Sequence, residues 1–245
     1  MFRSRAPIAA LLCLVLAACA ARGPSPDDPP LTTEERAMLG QMLLDNGPGG
    51  EFTRALRRVY PAEADYVARR MTEISAGGRT PEQMAADGAA LGREVRTRHA
   101  AGVLQADTAF IDDYLGLHLA VMETFSDRPK LCATMARGGV AALDADAQAE
   151  IEPLALPMVG RQVEAMAQGE REPVGRRIDD AEMKAVAERL FAQLTPAQRA
   201  VYRDRDGDDE TLCSAMIDFF RLIESARGRG AEALRATLAS KLFQS

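Results

Sequence analysis

From Thr32 onward the apolar residues recur at three- and four-residue intervals, and no run of β-branched residues alternates with polar ones. Such spacing gathers apolar side chains on one face of a helix and leaves a strand nothing to bury. The chain is therefore predicted to be all-α, an irregular bundle of about nine or ten helices.

Local punctuation places them. Thr32 and Glu35 have capping-box spacing, and Met38, Leu39, Met42 and Leu43 form a stripe that stops at Asn46–Gly50. Helical register resumes at Phe52–Val59 and Ala62–Ile74, broken at Pro61 and stopped by Gly77-Gly78. Thr80-Pro81-Glu82-Gln83 is another start, and Gly88 and Gly92 in the helix that follows are read as a close helix crossing. Asp107 caps the apolar segment Phe110–Phe125, the expected central helix. Pro129 opens a short helix around Cys132, and Asp144 or Asp146 opens one reaching about Gln168. Pro153 and Pro157 predict a kink or interruption in it. Asp179-Asp180 and Thr195-Pro196 start two more, and Asp204–Glu210 is an acidic loop. Leu212, Met216, Phe219, Phe220 and Ile223 line a helix ending at Gly228, and Leu234, Leu238 and Leu242 a last one.

Ahead of the helices, Arg3 and Arg5 precede an apolar run, Pro7–Leu16, and the small residues Ala17-Ala18. The run is short of the roughly 20 apolar residues that span a bilayer and reads as an export signal. An ordinary secretory signal cleaved near Ala18 or Ala21 fits those features, with Cys19 incidental. Leu16-Ala17-Ala18-Cys19 also resembles the lipobox of bacterial lipoproteins. The resemblance implies cleavage after residue 18, acyl chains on Cys19 and attachment to a bilayer through them. Ala20, where many such proteins kept at the inner membrane carry Asp, resembles the outer-membrane default, facing the periplasm. Residues 19–31, with Pro24, Pro26, Pro29 and Pro30, read as an extended tether. Residues 32–245 are the helical domain, with a division into two subdomains near 171–179 as an option.

The formal charge is −6, and more negative once Arg3 and Arg5 leave with the signal. An acidic surface argues against nucleic acid as a partner and against adhesion to anionic lipid. Of four cysteines, Cys13 lies in the signal and Cys19 in the lipobox, which leaves Cys132 and Cys213. In an oxidising compartment that pair is most simply a disulfide; a redox-active thiol would want the Cys-x-x-Cys spacing that is missing here.

Chemistry-bearing residues are sparse. His99 and His118 have no cysteine or carboxylate at metal-ligand spacing beside them, so no metal or cofactor is expected. His118 falls on the apolar face of its helix and reads as a hydrogen-bonded core residue, while His99, after Arg93, Arg96 and Arg98, reads as surface. Counted from Asp204, a calcium loop of the EF-hand kind would need Gly at 209 and Glu at 215, where the chain has Asp209 and Ala215. That loop reads instead as solvated acids capping the next helix. No Gly-x-Ser-x-Gly elbow and no Gly-Lys-Ser/Thr phosphate loop occurs. An enzymatic alternative would bring His118 together with acids such as Asp112, Asp113 or Glu123.

Leu194-Thr195-Pro196-Ala197-Gln198-Arg199 resembles the LTxxQ motif of a periplasmic chaperone and stress-sensor family. Kinship would imply a helix-opening motif that braces a cradle for unfolding clients. The expectation for the chain is thus an envelope lipoprotein with a protein-binding or structural accessory role and no catalytic residues. A chaperone of the LTxxQ type and an envelope enzyme with an unfamiliar site are the alternatives.

Overall fold

The structure, a computed structural model, describes residues 32–45, 47–204 and 207–244. Residues 1–31, read from sequence as an export signal, a lipobox cysteine at Cys19 and a tether, lie outside the described residues. Those described form eleven α-helices, one short 3₁₀ turn and no strand, one helix more than the upper sequence expectation.

The starts follow the local chemistry. α1 (Thr33–Asp45) begins where Thr32 and Glu35 exchange backbone-to-side-chain hydrogen bonds of 2.7 and 3.2 Å. α2 (Gly47–Val59) takes up the glycine-rich stretch that the sequence marks as a stop, and α3 (Pro61–Ala76) follows with Pro61 in its first turn. α4 (Pro81–Gln105) opens with a complete capping box between Thr80 and Gln83. Asp107, Asp144, Asp179 and Asp208 each accept backbone N–H groups at the starts of α5 (Thr108–Thr124), α7 (Ala145–Arg171), α8 (Asp180–Gln193) and α10 (Asp209–Ser225). α6 (Pro129–Gly138), α9 (Pro196–Asp204) and α11 (Arg229–Gln244) complete the set.

α5 enters the core as expected, burying Ile111, Tyr114, Leu115, Leu119, Val121 and Met122. The axis of the packing, however, is α7, which lies against α2, α4 and α5 together. It runs unbroken through Pro153 and Pro157, so of the expected kink or interruption the interruption is absent. Its neighbours hold it on three sides, so the hydrogen bonds lost at two prolines do not end it.

The expected crossing at Gly88 and Gly92 is also displaced. Side chains built there would find ordinary room, 3.4 Å from Met71 Sδ and from the tip of Arg96. The tightest crossing is of α4 and α7, at Gly102 and Gly169, where an added Cβ would fall 2.3 Å from the Met166 carbonyl oxygen and 1.9 Å from that of Gly102. At the C-terminal side α11 packs on α4, α8 and α5, and α10 on α6, α9 and α5. The connection after α7, near residues 171–179, is pinned to the end of α4. Arg176 donates to the carbonyls of Leu104 and Ala106 at 2.8 and 2.9 Å, and Val174 N–H to that of Gln105 at 3.0 Å. The buried apolar residues form a contiguous cluster from Leu44 to Phe243.

Candidate functional site

Two features singled out from sequence meet on one helix. Cys213, on the inner face of α10, is joined to Cys132 of α6 by a disulfide with Cα atoms 5.4 Å apart, so the expected pairing is present. The outer stripe of the same helix carries Ser214, Asp218, Arg221 and Ser225, three or four residues apart, with Leu222 beside Arg221, and is partly or fully exposed.

The Leu194–Gln198 segment forms one wall beside this stripe. Thr195 N–H donates to Gln198 Oε1 at 2.9 Å and Gln198 N–H to Thr195 Oγ1 at 3.2 Å, a capping box that opens α9. The amide of Gln198, itself buried, then reaches out to Asp218 Oδ2 at 2.7 Å and Ser214 Oγ at 3.4 Å. Between wall and stripe lies a cleft of about 380 Å³ lined by Gln193, Leu194, Gln198, Asp218, Arg221 and Leu222 among others. On the opposite side Ser126 and Pro129, at the turn from α5 into α6, enclose a second cleft of about 260 Å³ over Cys213, Ser214 and Ile217.

Asp218 and Arg221 line both clefts, which adjoin there as an open, shallow groove along α10. Arg221 is held by Glu123, with Nε and one terminal nitrogen 3.0 and 2.7 Å from the same carboxylate oxygen. The groove thus brings hydroxyl, amide, carboxylate and guanidinium groups beside Leu194, Ile217 and Leu222.

The histidines part from their sequence reading. Nδ1 of His118 is buried without a hydrogen-bond partner among the described residues, and the ring lies on Phe220 with centroids 4.9 Å apart. The half-buried ring packs against the core, with Nδ1 lacking the hydrogen bond that the sequence reading expects. Burial depresses its titration from 6.5 to about 4. The acids considered with it go elsewhere: Asp112 lies 2.8 Å from buried Arg235, Asp113 3.7 Å from Arg161, and Glu123 binds Arg221.

His99 is half-buried rather than free at the surface. Its side chain is 15 % exposed, Nδ1 is 2.9 Å from Glu170 Oε1 of α7, and Nε2 is 3.2 Å from Glu63 Oε1 of α3. Tyr60 stacks on the ring at 4.3 Å and donates to the other Glu170 oxygen at 2.9 Å. Desolvation first, then that carboxylate, pushes the Tyr60 phenol well above its usual range. Both Glu63 oxygens also take Arg98, at 2.6 and 2.7 Å. Tyr60 and Glu63 stand 39 and 36 residues from His99 and Glu170 71 residues away, so no local spacing announces the cluster.

The acidic loop folds as capping chemistry where it is described. Asp208 accepts from Thr211 N–H at 2.8 Å, and Asp209 pairs with Arg137 at 2.7 Å. No group of three His, Cys, Asp or Glu among the described residues is placed to hold a metal. No described helix is long and apolar enough to cross a membrane. Comparison with protein-family models, with curated proteins and with solved structures found no match.

Proposed function

We propose that this chain is a lipoprotein of the bacterial cell envelope, anchored by acyl chains on Cys19 and facing the periplasm from the outer membrane, whose helical body binds a protein partner through the α10 groove. The observation that carries the location is the run Leu16-Ala17-Ala18-Cys19 behind a basic, apolar leader. Several acyl chains on one residue, at about 0.8 kcal/mol per buried methylene, hold far more firmly than one chain alone. The Cys132–Cys213 bridge supports the same compartment, since disulfides persist in oxidising spaces. The groove supports the binding role, because it presents paired donors and acceptors beside the apolar Leu194 and Leu222.

Anchorage is tested by detergent phase partition of the native protein against Cys19→Ser. The native form should enter the detergent phase and the variant the aqueous phase; equal partition sinks the location. For the groove, a photo-crosslinking amino acid at Ser225 should capture a discrete envelope protein. One at Lys184, on the exposed side of α8, should not. Identical capture at both positions removes the groove from the reading.

A second reading is the LTxxQ chaperone, favoured by the Leu194–Gln198 segment opening a helix and walling the groove. Against it, the large hydrophobic side chains exposed among the described residues are Met38 and Val174, too few for an apolar cradle. Near-stoichiometric suppression of a denatured client's aggregation would favour this second reading over the first.

A further inference from the structure

The contacts of His99 demand a particular proton count. Ionised carboxylates only accept hydrogen bonds, and each ring nitrogen faces one, at 2.9 and 3.2 Å. A neutral imidazole has a single N–H and would turn a lone pair toward one of the two. Only the imidazolium, with an N–H on each nitrogen, satisfies both.

We infer that His99 is a proton-operated clasp that ties the first turn of α3 to α4 and α7. The charged groups around it come from every element it touches: Tyr60 before α3, Glu63 on α3, Glu94 and Arg98 on α4, and Glu170 and Arg171 on α7. Arg171 donates to the Val59 carbonyl and Glu94 takes Arg98 and Tyr66, so the groups that face the ring nitrogens directly are the two carboxylates, with Arg98 shared by Glu63.

The same contacts decide what lets go when a proton leaves. Glu63 has a second cation in Arg98, whereas among the described residues Glu170 has only the Tyr60 hydroxyl besides the ring. The remaining N–H therefore stays on Nδ1 with Glu170, and the Nε2 lone pair turns on Glu63 Oε1, which moves off with Arg98. Loss of the ring charge also weakens the Tyr60 stack. Both changes fall on the entry to α3, where Ala64 N–H bonds the Tyr60 carbonyl at 3.0 Å. In sign, the charged ring binds the closed clasp, so local stability is present on the acidic side and lost as pH rises.

Hydrogen exchange of the full chain at pH 5.5 and 8.5, which bracket the range where histidine side chains titrate, reads this directly. With intrinsic exchange rates divided out and α5 amides as reference, protection over residues 64–68 should drop about tenfold at the higher pH, the worth of one charge-assisted hydrogen bond at a partly exposed site. Protection in α7 should hold. Glu63→Gln, which cannot pair with a cation, should bring the ratio near one while leaving helix content unchanged. Equal protection at the two pH values in the native chain overturns the clasp, as does a ring nitrogen spectrum showing a single protonated nitrogen on His99 at pH 5.5. Retention of the tenfold ratio in Glu63→Gln overturns the assignment of the release point.

Discussion

At His118 the ring sits against Phe220 with Nδ1 enclosed, and burial holds its titration at about 4, against 6.5 for an exposed histidine. Between those values the unfolded chain binds a proton that the folded chain refuses. The stability this site contributes is whole above pH 6.5 and falls as pH drops, with the loss complete once the folded ring also titrates. A shift of that size corresponds to about 3 kcal/mol. Urea unfolding at pH 7.5 and 4.5 should therefore show the native protein losing roughly 2 to 3 kcal/mol more than His118→Phe, which has nothing to protonate. An equal loss in both proteins would mean that the enclosed nitrogen is not what acid attacks. The apolar register of Phe110–Phe125 is enough to place His118 in the core. The missing partner is a tertiary fact that no register contains. For His99 the neighbours in sequence, Arg96 and Arg98, point to the surface, and the groups that enclose the ring arrive from two other helices.

Among the helices, the starts are the legible part because a cap is written within four residues. Thr32, Thr80, Asp107, Asp179 and Thr195 accept backbone N–H groups at the starts they mark in sequence, and of the wider choices, Asp144 or Asp146 and the acids of 204–210, it is Asp144 and Asp208 that do so. What the helices do to one another is harder to read, and the glycines show why. Gly88, Gly92 and Gly102 look alike in sequence, but only Gly102 meets the backbone of α7, some 64 residues further on at Met166. Substitution should separate them. Gly169→Ala drives a methyl into the Gly102 carbonyl, where no side chain can yield, and should cost about 3 kcal/mol or more. Gly88→Ala meets only the flexible Met71 thioether and should stabilise the protein by about 0.5 to 1 kcal/mol through helix propensity. Thermal unfolding of the two variants decides the matter: similar effects on Tm would show that α4 and α7 are not in backbone contact.

Across the whole molecule the core is continuous, but its parts are not held equally. α6 has ten residues, packs chiefly on α10 and the 3₁₀ turn that follows it, and buries Cys132, Ala133 and Met135. So short a helix contributes little cohesion of its own, and the bridge to Cys213 is what fixes it beside the groove. Cysteine counting makes the pairing legible, since the expected export signal takes Cys13 and the expected lipobox takes Cys19, which leaves Cys132 and Cys213. The groove is not legible in that way, because Gln198, Asp218 and Pro129 come together only through packing. The bridged residues are 81 apart, for which chain entropy gives an upper figure of about 4.5 kcal/mol, so replacing both cysteines with serine should lower the unfolding free energy by roughly 2 to 4 kcal/mol. The loss should not be uniform. Hydrogen exchange should rise first in α6 and at the α5–α6 turn bearing Ser126 and Pro129, the groove wall that the bridge steadies, while α4 and α7 keep their protection. A photo-crosslinker at Ser225 should then capture its partner less well even under conditions where the variant is fully folded. Unchanged capture together with a loosened α6 would place the binding surface on the Gln198 side of Arg221 alone.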